Sequence, residues 1–453
     1  MADEAITAEE EGIGPDLLME LLSSEGGILD IDTVDLRPST FTSSDIRNVM
    51  LPLITNLSVR VLYLPIDRLD LICSKTIVMM MKNNVGPPIE ELHLSNLSSE
   101  EQSDSELCRK MSSIISSLKH NKHVNKLHIT PEVALNQSVP SSIASILYDN
   151  AALSSLILRG CGISHAEATT ISCALASNAS ITTLDLSNNP LGDGGICSVA
   201  LALELNHTIQ KLKLSGTNMG REGGEAIADA LAVNKSLEVL DVSRNSLDDI
   251  VVTKLSRSLK LNTSLRQLSL RSNSCSTIGA LCLSFALYDS KNLQAVLGCN
   301  HTLQYLNIDS SQLSRECVMH TNNSLRWNAL SSTENETTRK KVSSFLLESE
   351  SNCLCFRDYF EDATTINQLM PNVLWSMNQG QDTSKRATVL YYLVKNLTVQ
   401  NIIVTSCPEV LSETKSSSDS IFSADNKTCN GGGNDDNKCA IMIKQSLTMH
   451  QLY

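Results

Sequence analysis

From near residue 31 to near residue 313 the chain repeats one arrangement of aliphatic and polar positions. An aliphatic residue is followed by a second three residues later and a third two residues beyond that. The first positions are Ile31, Val59, Ile89, Val124, Leu153, Ile181, Ile209, Leu237, Leu265 and Leu303. The second are Val34, Leu62, Leu92, Leu127, Leu156, Leu184, Leu212, Leu240, Leu268 and Leu306; the third are Leu36, Leu64, Leu94, Ile129, Leu158, Leu186, Leu214, Val242, Leu270 and Ile308. All thirty are aliphatic, at successive intervals of 28, 30, 35, 29, 28, 28, 28, 28 and 38 residues. In Ile181-Thr-Thr-Leu184-Asp-Leu186 the apolar residues alternate with polar ones, which predicts a short strand with one face turned inward.

The second half of each unit predicts a helix. In Gly224-Glu-Ala226-Ile227-Ala-Asp-Ala230-Leu231 the apolar residues fall on one helical face. Ser164-x-x-Glu167 has the pattern of a capping box. Asn56, Asn84, Asn178, Asn206, Asn234, Asn262 and Asn300 stand at the expected helix ends, where asparagine tolerates a left-handed closing conformation. Eight residues after each start stand Cys161, Asn189, Thr217, Asn245 and Asn273, small polar side chains suited to bonding the backbone as it leaves the strand.

This pattern resembles the ribonuclease-inhibitor-type leucine-rich repeat, in which strand and helix alternate on a unit of about 28 residues. The resemblance implies an α/β solenoid over residues 31–320, a horseshoe with parallel strands on its concave face and helices on its convex face. Strands lie ~4.8 Å apart and helices ~8–10 Å apart, so the helical side is the longer arc.

Three stretches depart from the repeat. Residues 1–30 form an acidic leader or cap, expected to be flexible. The 35-residue interval places an acidic surface loop over Leu97–Leu107, and the 38-residue interval leaves room for an added short helix over Thr277–Leu287. Residues 321–404 gather Trp327, Phe345, Phe356, Tyr359, Phe360, Trp375, Tyr391 and Tyr392, and read as a helical region capping the last repeat. Residues 405–453 are rich in Ser, Asn and Gly and are expected to be disordered.

Charge narrows the function. The chain has 36 Lys and Arg against 50 Asp and Glu, a net charge of −14. Nine of the acids lie in residues 1–30, which have no Lys or Arg, so the remaining 423 residues set 41 acids against 36 bases. This balance argues against a phosphate-tracking nucleic-acid binder and against an acidic membrane surface. No apolar run reaches the ~18–20 residues of a bilayer span, and MADEAITAEEEGIG has no signal-peptide pattern. Fourteen cysteines without secretory context read as reduced thiols of the cytosol or nucleus.

Candidate chemistry is sparse. Asn-x-Ser/Thr patterns at Asn56, Asn178, Asn206, Asn234, Asn262 and Asn300 recur with the repeat and read as structural rather than as glycan acceptors. His93 and His128 occupy equivalent outward positions in adjacent repeats, about 5 Å apart. Two imidazoles fall short of the three or four protein ligands zinc takes, so no metal site is assigned. Cys353-x-Cys355 is likewise read as packing. Gly192-Asp-Gly194-Gly195 and Gly220-Arg-Glu-Gly223-Gly224 lack a phosphate-loop pattern and read as turns into helices. No catalytic motif and no cofactor fingerprint is found.

The outward central column reads Asp35, Tyr63, His93, His128, Ile157, Asp185, Lys213, Asp241, Ser269 and Asn307, with Arg37, Arg159, Arg244, Arg266 and Arg271 beside it. Mixed charge on a curved face suits a protein partner. The candidate partner-binding residues are Arg159, Asp185, Lys213, Asp241, Arg244, Arg266 and Arg271. The function expected is a non-catalytic binding scaffold. Similarity to the Ran GTPase-activating protein implies a second possibility, stimulation of a small GTPase, and NOD-like receptors imply a third, innate sensing.

Overall fold

The computed structural model describes residues 14–23, 31–96, 104–130, 138–291, 293–309, 315–331, 333, 336–338, 340–342 and 344. Part of the acidic loop, most of the aromatic-rich C-terminal stretch, Cys353-x-Cys355 and the Ser/Asn/Gly-rich tail lie outside the described residues. Ten strands alternate with helices. The strands are β1 Thr33–Asp35, β2 Val61–Pro65, β3 Glu91–Ser95, β4 Lys126–Thr130, β5 Ser155–Ile157, β6 Thr183–Asp185, β7 Lys211–Lys213, β8 Val239–Asp241, β9 Gln267–Ser269 and β10 Tyr305–Asn307. The helices are α1 Pro15–Ser23, α2 Ser43–Thr55, α3 Leu71–Asn83, α4 Asp104–Ser117, α5 Ser138–Asp149, α6 His165–Leu175, α7 Gly192–Leu205, α8 Arg221–Val233, α9 Asp249–Leu261, α10 Thr277–Leu287, α11 Leu293–Leu297 and α12 Arg315–Leu330.

The chain divides into two compact units. The first, residues 1–287 and 302–329, holds all ten strands in one parallel sheet whose spatial order is the chain order. Successive helices pack on one another from α1 to α10. Of the thirty aliphatic repeat positions, 27 are buried; Ile31, Leu306 and Ile308, at the two ends of the array, are only partly covered. Each buried Leu or Ile side chain contributes roughly 1.5–3 kcal/mol against exposure, so the core is distributed along the array.

The helix-ending asparagines act differently from the sequence expectation. Only Asn84 is left-handed, at φ 50°; Asn56, Asn206, Asn234 and Asn262 are extended. Their side chains work instead as rungs between repeats. The Asn206 amide donates from Nδ2 to the carbonyls of Leu175 at 2.7 Å and Asn178 at 2.8 Å, and its Oδ1 accepts the N–H groups of Thr208 and Ile209, both at 2.9 Å. Asn150, Asn234 and Asn262 repeat this pattern, and Asn178 varies it, donating to the Leu147 carbonyl while the Ser180 hydroxyl takes the Asn150 carbonyl. Asn178, Asn206, Asn234 and Asn262 are buried, as the structural reading of the acceptor patterns requires. The left-handed position lies elsewhere, at the strand exit, seven residues after the start in the five repeats beginning at Leu153, Ile181, Ile209, Leu237 and Leu265: Gly160, Asn188, Gly216, Arg244 and Ser272 all have positive φ, between 55° and 70°.

Four further expectations are refined. Residues 15–23 of the leader are helix α1, with Leu18 and Leu22 in the core. The acidic loop is shorter than expected because Asp104 already starts α4. Thr277–Leu287 is the regular helix α10 packed on α9, and the added helix is α11. Gly194, Gly195, Gly223 and Gly224 lie inside first helical turns rather than in loops. At Gly224 a Cβ would come within 2.6 Å of Val251 Cγ1 and 2.7 Å of Leu247 Cδ2, so close helix packing demands glycine.

The second unit comprises residues 288–301 and 330–453. Its described part buries Lys341, whose Nζ donates to the Asn300 carbonyl at 2.5 Å. Burial pushes this ammonium down to about 7. Burial, assisted by the Lys341 charge, likewise pushes His301 down to about 4.

Candidate functional site

The strand register places the expected central column in one continuous row. Asp35, Tyr63, His93, His128, Ile157, Asp185, Lys213, Asp241, Ser269 and Asn307 pair in order across the sheet. The second residue of every strand turns inward and its first and third turn outward, because successive strand side chains alternate. A second outward column therefore exists, two residues before the first: Thr33, Val61, Glu91, Lys126, Ser155, Thr183, Lys211, Val239, Gln267 and Tyr305. The sequence reading followed one column and passed over this one, although the same two-residue spacing marks it.

The seven candidate partner-binding residues fall into two groups. Asp185 is buried at 6% exposure, and its Oδ1 accepts the Ser187 N–H at 3.0 Å, while Lys213 Nζ lies 3.6 Å from its Oδ2. Asp241 Oδ1 accepts from the Ser243 N–H at 3.0 Å and the Ser243 hydroxyl at 2.6 Å. Both carboxylates shape the turn leaving their strand and have little left for a partner. Arg159, Lys213, Arg244, Arg266 and Arg271 are exposed, as is Lys211. Arg266 stands 3.8 Å from Glu238 and Arg271 stands 3.7 Å from Asp309, exposed pairs worth about 0–1 kcal/mol. The Arg159 and Arg244 guanidinium groups have no partner among the described residues. Arg244 also occupies the left-handed position where Gly160 and Gly216 stand in other repeats, a conformation that costs a non-glycine residue about 1–2 kcal/mol.

At the other end of the sheet the column becomes a stack. Arg37 Nε and Nη2 grip Asp35 in a two-pronged pair, at 2.9 Å to Oδ1 and 2.6 Å to Oδ2, and the guanidinium lies 4.0 Å from the Tyr63 ring centre. Tyr63 stacks on His93 at 4.0 Å, and His93 meets His128 at 4.1 Å with planes 44° apart. The histidines are thus close, as their spacing predicted. Glu91, from the second column, completes the group: ligand atoms of Glu91, His93 and His128 all lie within 4.8 Å of one another. His93 Nε2 is buried without a hydrogen-bond partner and points toward Glu91 Oε2 at 3.7 Å. Lys126 binds the other carboxylate oxygen. Burial would raise the Glu91 carboxyl, but the Lys126 bond and charge outweigh it and hold it below the usual range. Burial first, and His128 second, push His93 down to about 4; burial also lowers His128.

Residues 177–200 and 205–228 match the family described as Leucine Rich repeat. No curated protein matches the sequence. Among solved structures, the chain aligns with actin-binding site 2 of leiomodin-1 at 15% identity and a TM-score of 0.29, over 47% of this chain and 97% of that one. It aligns with the Caenorhabditis elegans tropomodulin C-terminal domain at 16% identity and a TM-score of 0.28, over 42% of this chain and 93% of that one. Neither likeness bears on what this chain binds. With the family match, ten in-order parallel strands alternating with helices make the array a leucine-rich-repeat solenoid. No described helix is long and apolar enough to cross a membrane.

Proposed function

We propose that this leucine-rich-repeat solenoid, of the ribonuclease-inhibitor type, is a non-catalytic binding scaffold that takes an acidic protein surface on the open face of strands β5–β9. One observation carries the reading: Asp185 and Asp241 are consumed by their own backbone turns, while Arg159, Lys211, Lys213, Arg244, Arg266 and Arg271 remain exposed. Lys213, Arg266 and Arg271 pair with Asp185, Glu238 and Asp309, while Arg159, Lys211 and Arg244 have no ionic partner among the described residues and give the face its basic presentation. Such a face attracts and orients an acidic partner through charge complementarity. Cysteine usage without secretory context supports a location in the cytosol or nucleus for this scaffold.

The test is affinity capture with the full chain, comparing wild type with a triple variant, Lys211→Glu, Lys213→Glu and Arg244→Glu. Arg257→Glu, exposed on α9, is the control. The partner is expected to be lost from the triple variant and kept by the control; retention by both would remove the face from consideration. Asp185→Arg and Asp241→Arg are unsuitable here, because each would break the local turn as well as change the charge. Stimulated GTP hydrolysis by a small GTPase would instead favour the GTPase-regulator reading.

A further inference from the structure

We propose that Glu91, His93 and His128 form a binding site for a divalent metal ion of imidazole preference, zinc foremost. Each side chain stands on an outward position of β3 or β4, in strands whose register is continuous over five residue pairs. Glu91 and His93 are two residues apart on one strand, and His128 is the direct cross-strand neighbour of His93. The backbone thus fixes three donors of the type zinc selects, two imidazole nitrogens and one carboxylate oxygen.

The geometry is close to a coordination shell. Tetrahedral zinc with ligand bonds of ~2.0–2.1 Å separates its ligand atoms by about 3.4 Å. The three donors lie within 4.8 Å of one another, so side-chain rotations of about 1 Å bring them together. His93 Nε2 is a buried polar atom without a hydrogen-bond partner, facing the carboxylate oxygen that Lys126 leaves open. A metal ion there would satisfy it. Burial shifts both imidazoles toward the neutral form, the form that binds metal.

The surroundings act as the outer support such sites need. Tyr63 stacks on His93 and fixes its ring plane, Arg37 and Asp35 lock Tyr63 from behind, and Lys126 orients Glu91. The Arg37 and Lys126 charges oppose a cation, while Glu91 and Asp35 favour one. Three protein ligands leave a fourth position for water or a partner's side chain, the pattern of open rather than closed zinc sites.

The experiment titrates the metal-stripped full chain with Zn²⁺ against a chromophoric chelator, for wild type, His128→Ala, Glu91→Gln and the control His123→Ala. Wild type and His123→Ala are expected to bind one Zn²⁺ equivalent more than His128→Ala, with Glu91→Gln at least about tenfold weaker at that equivalent. Substitution of wild type with Co²⁺ separates this equivalent from any bound by cysteines. A nitrogen–oxygen site gives visible d–d bands without thiolate charge transfer. Equal stoichiometry and affinity in wild type and His128→Ala would overturn the proposal. So would a Co²⁺ spectrum in which every bound equivalent carries thiolate charge transfer.

Discussion

Asn206→Ala is expected to destabilise the solenoid by about 3–4 kcal/mol through lost hydrogen bonds alone. Asn206 is buried, and its amide makes four bonds to backbone groups across three repeats, besides a fifth accepted from the Thr208 hydroxyl at 3.2 Å, which can turn to the Asn178 carbonyl instead. At about 0.5–1.5 kcal/mol each, four bonds sum to about 2–6 kcal/mol. Two losses are partly cushioned: the Leu175 carbonyl keeps the Asn178 N–H at 3.2 Å, and the Asn178 carbonyl keeps the Thr208 hydroxyl at 3.4 Å. The N–H groups of Thr208 and Ile209 have no such second partner among the described residues, which sets the figure near the middle of the range. Urea unfolding of the full chain, with hydrogen exchange read peptide by peptide, measures both the size and the place of the loss. Faster exchange is expected across residues 175–209, with residues 59–90 unchanged, because each unit contacts only its neighbours. Asn206→Asp keeps the acceptor but sets a carboxylate against two carbonyls, and is expected to cost at least as much. A loss under about 1 kcal/mol, or one matched by exposed Leu205→Ala, would refute the rung account.

Three other substitutions probe separate parts of the account. Asp193 Oδ1 accepts the N–H groups of Gly220 at 2.6 Å and Gly223 at 3.0 Å, capping α8 from the preceding repeat, so Asp193→Ala should cost about 1–2 kcal/mol in chemical unfolding. Gly224→Ala forces a Cβ onto Val251 and Leu247 and should cost about 1–3 kcal/mol, against almost nothing for Gly14→Ala, whose Cβ meets open space. Lys341 binds its proton less tightly folded, at about 7, than unfolded, at about 10.4. The unfolded state therefore holds more protons between those values, and stability rises with pH across that window. Measured at pH 7 and pH 10, the stability of wild type relative to Lys341→Met should increase; a constant difference would refute the burial account.

The period and the thirty core positions were legible because burial and strand alternation act on every unit alike, and chance cannot sustain them over ten repeats. Ile31, Leu306 and Ile308 are less buried only because an array has ends. The asparagines were legible as a column but not in mechanism: a left-handed closure and an inter-repeat amide rung select the same residue at the same place. The backbone then placed the left-handed turn at Gly160, Asn188, Gly216, Arg244 and Ser272, where residue types vary and no pattern announces it. Asp185 and Asp241 looked like free charges because hydrogen bonds to Ser187 and Ser243 leave no trace in composition. Glu91 was within reach, since it shares a strand face with His93, but it enters only when both outward columns are followed.

The most direct test of the binding account is hydrogen exchange of the full chain with and without its captured partner. Slowed exchange confined to residues 211–216, 239–244 and 267–272, with α7, α8 and α9 unchanged, is the predicted result. Protection of those helices with the strand exits unaffected would contradict it.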